Sequence, residues 1–253
     1  MEQEFNAMRP KNAAVHAARM RLREVVVSEL LSMEEEIELE ALKLADAGVD
    51  VIGFGCTTGS LARGLGHDRK IVSRIEKATR ISAVATAGAV LDALNALRVR
   101  EISVGTPYTY QINALEKRFL EQNGFDIVKM KGLGIVDNTE IGRQSQRAVY
   151  NLVKEVETAE AEAIFISCTN LPTISVVEKL ETELEKPVVS SNTATMWAML
   201  REIGYWKEIR GYGRLLQSQK EEFNHAISMG FPFCASSTSR FLKRSLNRRG
   251  CSV

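Results

Sequence analysis

The sequence predicts an α/β protein of two similar lobes related by pseudo-twofold symmetry, each a parallel sheet flanked by helices. Three observations carry this. Short apolar runs alternate with longer amphipathic ones, the rhythm of parallel strands joined by helices. That rhythm runs once to about residue 98 and restarts near Glu101. Two apolar runs 112 residues apart also end in the same pair, Gly53-Phe54-Gly55-Cys56-Thr57-Thr58 and Phe165-Ile166-Ser167-Cys168-Thr169-Asn170. The lobes are expected at 1–98 and 99–214, with 215–253 as an extension of unassigned role.

In the first lobe, residues 13–20 are compatible with a strand. Residues 33–47 read as a helix. Glu34, Glu35 and Glu36 lie in its first turn, where the helix dipole favours anions. Ile37, Ala41, Leu44 and Ala45 share one face, and Gly48 ends it. A strand at 49–55, a helix at 60–79, a strand at 81–85 and a helix at 88–98 follow. In the second lobe a strand at 101–105 leads to a helix at 109–123 closed by Gly124, then a strand at 125–130. Ile141, Ala148, Leu152 and Val156 mark a helix over 139–157. A strand at 163–167, a helix at 174–185, a strand at 188–190 and a helix at 193–203 complete the set. Moved back by 112, the strand at 101–105 falls before Met1. The first lobe is therefore expected to lack its opening strand, with an upstream in-frame segment in the encoding DNA to supply it.

Composition narrows the function. The chain has 253 residues with 33 Lys+Arg against 32 Asp+Glu, a net charge of +1. So balanced a chain points to neither nucleic acid nor a membrane surface as main partner. No apolar run approaches the ~20 residues of a membrane span. The N-terminus has no basic start and apolar stretch, so a cytoplasmic location is expected. Four cysteines in a chain this long do not make a disulfide scaffold. With no CxxC or HxxxH, no metal site is expected. His16, His67 and His225 are scattered.

Ligands in open parallel sheets bind beyond the carboxyl ends of strands, and both Cys-Thr pairs sit at such ends. Two facing lobes would aim Cys56 and Cys168 into one cleft. There, turn N–H groups can lower a thiol pKa and cradle an anion. Thr57, Thr58, Thr169 and Asn170 add donors for a carboxylate. Buried structural thiols are the bland alternative for either cysteine alone; the matched pair in matched context outweighs it. Tyr108, after the strand at 101–105, can donate its hydroxyl to a substrate or simply pack a helix start. Asn138 can cap the helix that follows it or face the cleft. Ser190-Ser191-Asn192-Thr193 suits a helix cap or a pocket edge. Gly53-Phe54-Gly55 lacks the spacing of a dinucleotide fingerprint. Arg63-Gly64-Leu65-Gly66-His67 reads as a mobile turn with His67 exposed. Residues 240–249, with Arg240, Lys243, Arg244, Arg248 and Arg249 and no acid, read as a solvated tail. Cys234 and Cys251 are then bystanders.

Gly55-Cys56-Thr57-Thr58-Gly59-Ser60, Gly105-Thr106-Pro107-Tyr108, Val136-Asp137-Asn138 and Ser167-Cys168-Thr169-Asn170-Leu171-Pro172-Thr173 together resemble the Asp/Glu/hydantoin racemase superfamily. The branch they resemble most is maleate cis-trans isomerase, with arylmalonate decarboxylase nearby. The resemblance runs from residue 1 to about 214. It implies Rossmann-like lobes, no cofactor, a small dicarboxylate substrate between the lobes, and a homo-oligomer. It further implies Cys56 as nucleophile and Cys168 as its acid/base partner. Tyr108, Asn138, Thr57, Thr58, Thr169 and Asn170 would then bind substrate. The decarboxylase branch lacks the first cysteine, so Cys56 argues against that activity. A racemase using both thiols, and an inactive carboxylate-binding protein, are the alternatives. The departure is at the start, where the family's opening strand and its Ser-Ser-Asn-Thr segment have no match.

Overall fold

The computed structural model describes residues 1–217. The chain opens with α1 (Glu2–Met8), continues to α2 (Val27–Ser32) and a 3-10 turn at Met33–Glu36, then α3 (Ile37–Asp46). β1 (Ile52–Phe54), α4 (Thr57–Leu61), α5 (His67–Thr79), β2 (Ala83–Ala85) and α6 (Thr86–Ala96) follow. The second series runs β3 (Glu101–Thr106), α7 (Tyr110–Gln122), β4 (Asp126–Gly132), α8 (Asn138–Gly142), α9 (Gln146–Val156), β5 (Ala163–Ile166), α10 (Ile174–Leu184), β6 (Val188–Ser190) and α11 (Ser191–Glu202). A 3-10 turn at Arg214–Gln217 ends the described chain, with Leu215 and Leu216 buried against the core.

Two parallel sheets result, one of β1 and β2 and one ordered β4-β3-β5-β6. β5 is apolar throughout and buried at every position, which suits a strand covered on both faces. The repeat in the sequence is a repeat in space. β1 and β5 each end at a Cys-Thr, and β2 and β6 each run directly into a helix, α6 and α11. Those two helices pack against each other, and the Thr195 hydroxyl donates to the Thr86 hydroxyl at 3.0 Å. Among the described residues, β1 has no partner at the place that β3 holds beside β5. That free edge lines the main cavity instead.

Several expectations change. Residues 13–20 form no strand; they line the cavity along the unpaired side of β1 instead. The helix expected over 60–79 is two, because Gly64 and Gly66 both take φ +78, outside the helical region. That turn swings His67 inward. It is 4% exposed, not solvent-facing, and its Nε2 lies 3.1 Å from Glu34, on which Arg63 also converges. Burial lowers the His67 pKa, so the imidazole stays neutral there. The helix expected over 139–157 also breaks, at Arg143–Gln144, because Ser145 caps α9 by accepting the Ala148 N–H.

α1 packs against α11. Phe5 and Met8 enter the core around Phe165 and Trp197. The buried Glu4 carboxylate accepts from the Thr173 and Ile174 N–H groups and from Asn192 Nδ2. None of the helices among the described residues is long and apolar enough to cross a membrane. His225, Cys234, Cys251 and the basic run at 240–249 lie outside the described residues.

Candidate active site

The two Cys-Thr turns meet. Cys56 follows β1 and caps α4, its Sγ accepting the Gly59 N–H at 3.3 Å. Cys168 follows β5 with φ +98, a backbone conformation strained for any residue with a Cβ. The turns are stitched together. Thr169 donates its hydroxyl to the Gly55 carbonyl at 2.9 Å. Thr57 donates to Ser191 Oγ at 2.8 Å, and the same oxygen accepts the Cys168 N–H at 3.1 Å. Ser191, the first residue of α11, is thus the bolt between the two turns and the group that holds Cys168 in its strained geometry.

All eight residues singled out in the sequence, Cys56, Thr57, Thr58, Tyr108, Asn138, Cys168, Thr169 and Asn170, line one cavity of about 790 Å³. It is roomier than a four-carbon ligand needs and extends along the free edge of β1 to residues 9–20. Tyr108 is buried at the cavity wall, and its hydroxyl favours the thiolate at Cys168. Gly132 backs it; a Cβ there would collide with the Tyr108 carbonyl oxygen and with Asn113 Nδ2. The even choice at Asn138 resolves toward the cavity. Asp137, not Asn138, caps α8 through the Glu140 N–H at 2.7 Å. Asn138 donates to the Leu22 carbonyl and accepts from Asn170 Nδ2 at 3.0 Å. The Ser190–Thr193 segment is a helix cap, Ser190 and Thr193 exchanging both bonds of a capping box.

The electrostatics correct one expectation. Burial pushes the Cys56 thiol up to about 11, outweighing the Gly59 N–H and the Thr58 hydroxyl that favour the thiolate. Burial likewise raises Cys168, against the Tyr108 hydroxyl and the Asn170 and Leu171 N–H groups. The turn donors do lower both thiols, but desolvation costs an anion more than they return. The resting cleft therefore holds two protonated thiols. No group of three or more potential metal ligands occurs among the described residues.

Sequence reasoning missed Ser191 as the bolt, because its partners lie 134 and 23 residues away. Ser191→Ala is expected to strand the Cys168 N–H and the Thr57 hydroxyl in a buried site, costing about 1–3 kcal/mol. Chemical denaturation of the variant, read beside the intact chain, checks this; an unchanged midpoint would remove Ser191 from the scaffold.

A parallel-sheet lobe on each side and a strand-end thiol from each place the chain in the Asp/Glu racemase superfamily. Within it the chain belongs to the arylmalonate decarboxylase family, whose pattern it matches over residues 2–216. It lies in the clade shared by the decarboxylases and the maleate cis-trans isomerases. It is 30% identical over 216 residues to a maleate isomerase of Pseudomonas putida, covering 83% of this chain and 86% of that one. A maleate isomerase from another Pseudomonas putida strain, solved as a variant with maleate, superposes with a TM-score of 0.82 at 27% identity over 85% of this chain and 91% of that one. The Nocardia farcinica maleate cis-trans isomerase, solved as a cysteine-to-serine variant with a covalently bound succinylcysteine intermediate, superposes at 0.82 and 28% identity over 85% and 92%.

Proposed function

We propose that this chain interconverts maleate and fumarate, or a close unsaturated dicarboxylate pair, through a cysteine adduct and without a cofactor. The observation that carries the reading is two buried thiols, from symmetry-related strand ends, in one cavity rimmed by hydroxyl and amide donors. Relatives similar over most of the chain are maleate isomerases.

The reactive form holds one proton between the two sulfurs. The Cys56 thiolate adds its lone pair to one alkene carbon. The displaced π pair moves toward the neighbouring carboxylate, to which Thr57, Thr58, Thr169 and Asn170 turn their donors as they give up Ser191, Cys56, Gly55 and Asn138, and the carbon takes the Cys168 proton. The central bond is now single and rotates. The Cys168 thiolate removes the proton again, the C–S bond breaks, and Cys56 leaves as thiolate with the trans alkene formed. Every proton and electron pair returns to its place. Tyr108 steadies Cys168 through its hydroxyl. Proton NMR of the chain with maleate, run in heavy water, tests the reading. Growth of the fumarate signal supports it. Exchange at the α-carbon of an amino acid or hydantoin, with maleate untouched, would replace it with the racemase.

The raised thiols set the pH dependence. Because Cys56 has to lose its proton and titrates near 11, the thiolate fraction grows about tenfold per pH unit through the neutral range. kcat/KM for maleate should climb with that slope from about pH 6 to 9 and fall only where Cys168 also loses its proton. A profile flat over that range would mean that Cys56 ionises far more readily than its burial dictates.

A further inference from the structure

One buried carboxyl lies behind the site and has no role in the steps above. Glu116, on α7, is 1% exposed. Its Oε1 accepts the Ser167 hydroxyl at 2.6 Å, and Ser167 is the residue immediately before Cys168. Its Oε2 is buried with no hydrogen-bond partner. A carboxyl half-satisfied in the core costs stability.

The position matters because the donors around the two sulfurs are matched in number. Cys56 receives the Gly59 and Thr58 N–H groups and the Thr58 hydroxyl. Cys168 receives the Tyr108 hydroxyl and the N–H groups of Asn170 and Leu171. Three donors at each sulfur do not by themselves decide which one keeps the proton, and addition by Cys56 needs it on Cys168. The Glu116 charge breaks the tie. It disfavours the thiolate at Cys168 and the phenolate at Tyr108, and is absent from the main influences on Cys56.

We propose that Glu116 is a positioning residue for the proton: held by Ser167, its carboxylate keeps the shared proton on Cys168 and so leaves Cys56 as the nucleophile. The assignment of roles to the two sulfurs rests on the isomerase reading; the electrostatic bias itself does not. Burial raises the Glu116 carboxyl to about 7, with Ser167 opposing, so the bias switches on as pH rises through neutrality. The groups facing it are few. Cys168 and Tyr108 are the titratable neighbours on the site side, with Cys56 beyond Cys168. α4, packed on α7, carries no charged side chain. From β4, Asp126, Lys129 and Lys131 are exposed, as is Arg118 of α7, and Lys131 is paired with Glu155. Lys117 and Glu121 of α7 itself pair with each other at the surface.

The test is Glu116→Gln, which keeps an acceptor for Ser167 and the shape of the side chain but removes the charge. Iodoacetamide labelling of each cysteine, followed by peptide mass spectrometry across pH, reads the two thiols separately and without maleate. The midpoint for Cys168 is expected to fall by about 1 pH unit, roughly tenfold more labelling at a fixed pH, with no fall at Cys56. An unchanged Cys168 midpoint, or an equal shift at both cysteines, overturns the proposal. Should the variant not fold, the intact chain still decides. Coupling to Glu116 makes the Cys168 labelling curve shallower than a single titration around pH 7; a single ideal curve overturns it. Because labelling needs no turnover, a positive result with inert maleate would retain the bias and retire only the isomerase reading.

Discussion

Cys56→Ser is expected to abolish turnover, by roughly 10⁴-fold or more, and to leave no covalent adduct with maleate. The argument is chemical rather than structural. Serine is a favoured N-cap residue, so the hydroxyl can take over from the sulfur as acceptor for the Gly59 N–H and keep the β1 turn and the α4 cap. A hydroxyl at this site has the same desolvation to overcome as the thiol, starting from a far higher pKa, and no adjacent base is placed to relieve it. Cys56 is already pushed up to about 11, near the limit at which a nucleophile is useful at neutral pH. Intact-protein mass spectrometry with maleate reads the outcome. An adduct that persists in Cys56→Ser and disappears in Cys168→Ser would exchange the roles of the two cysteines.

Why the sequence revealed this much of the site is visible in particular residues. A strand end that carries chemistry leaves a local signature, an apolar run closed by a polar reactive group. Duplication printed that signature twice, at Cys56 and Cys168. Tyr108 and Asn138 follow their own strands in the same way. What the sequence could not show depends on contacts between distant segments. Ser191 reads locally as part of a helix cap, and only its contacts with Thr57 and Cys168 make it a bolt. Glu116 reads as an ordinary polar position on α7 until Ser167 is seen beside it. The helix break at Arg143–Gln144 is hidden because the apolar period of Ile141, Ala148, Leu152 and Val156 continues across it, whereas the turn at Gly64–Gly66 is legible in its glycines. The direction of the thiol pKa values was missed for a related reason. Donors are written in the turn motif, whereas burial depends on everything that closes over the sulfur.

Cys168→Ser should behave differently. Turnover is expected to drop by about 10²–10⁴-fold, the loss typical of general acid–base help, while an adduct on Cys56 still forms. Addition needs the Cys56 thiolate, and Cys168→Ser leaves the Gly59 and Thr58 donors to that sulfur in place. Addition also needs a proton at carbon, which a serine hydroxyl or water delivers slowly. Elimination suffers more. It requires a base at the position of Cys168 to withdraw that proton, and a neutral hydroxyl held by Tyr108 is a poor one. The adduct is therefore expected to accumulate in the variant rather than turn over. A cysteine-to-serine variant of the Nocardia farcinica relative holds a succinylcysteine, showing that such an adduct can persist on this fold. Mass spectrometry should find a mass gain of one substrate on the Cys56 peptide of Cys168→Ser, stable over many wild-type turnover times. Equal loss of adduct in both single variants would mean that bond formation and proton transfer are not separable, and that the two thiols act as one concerted unit.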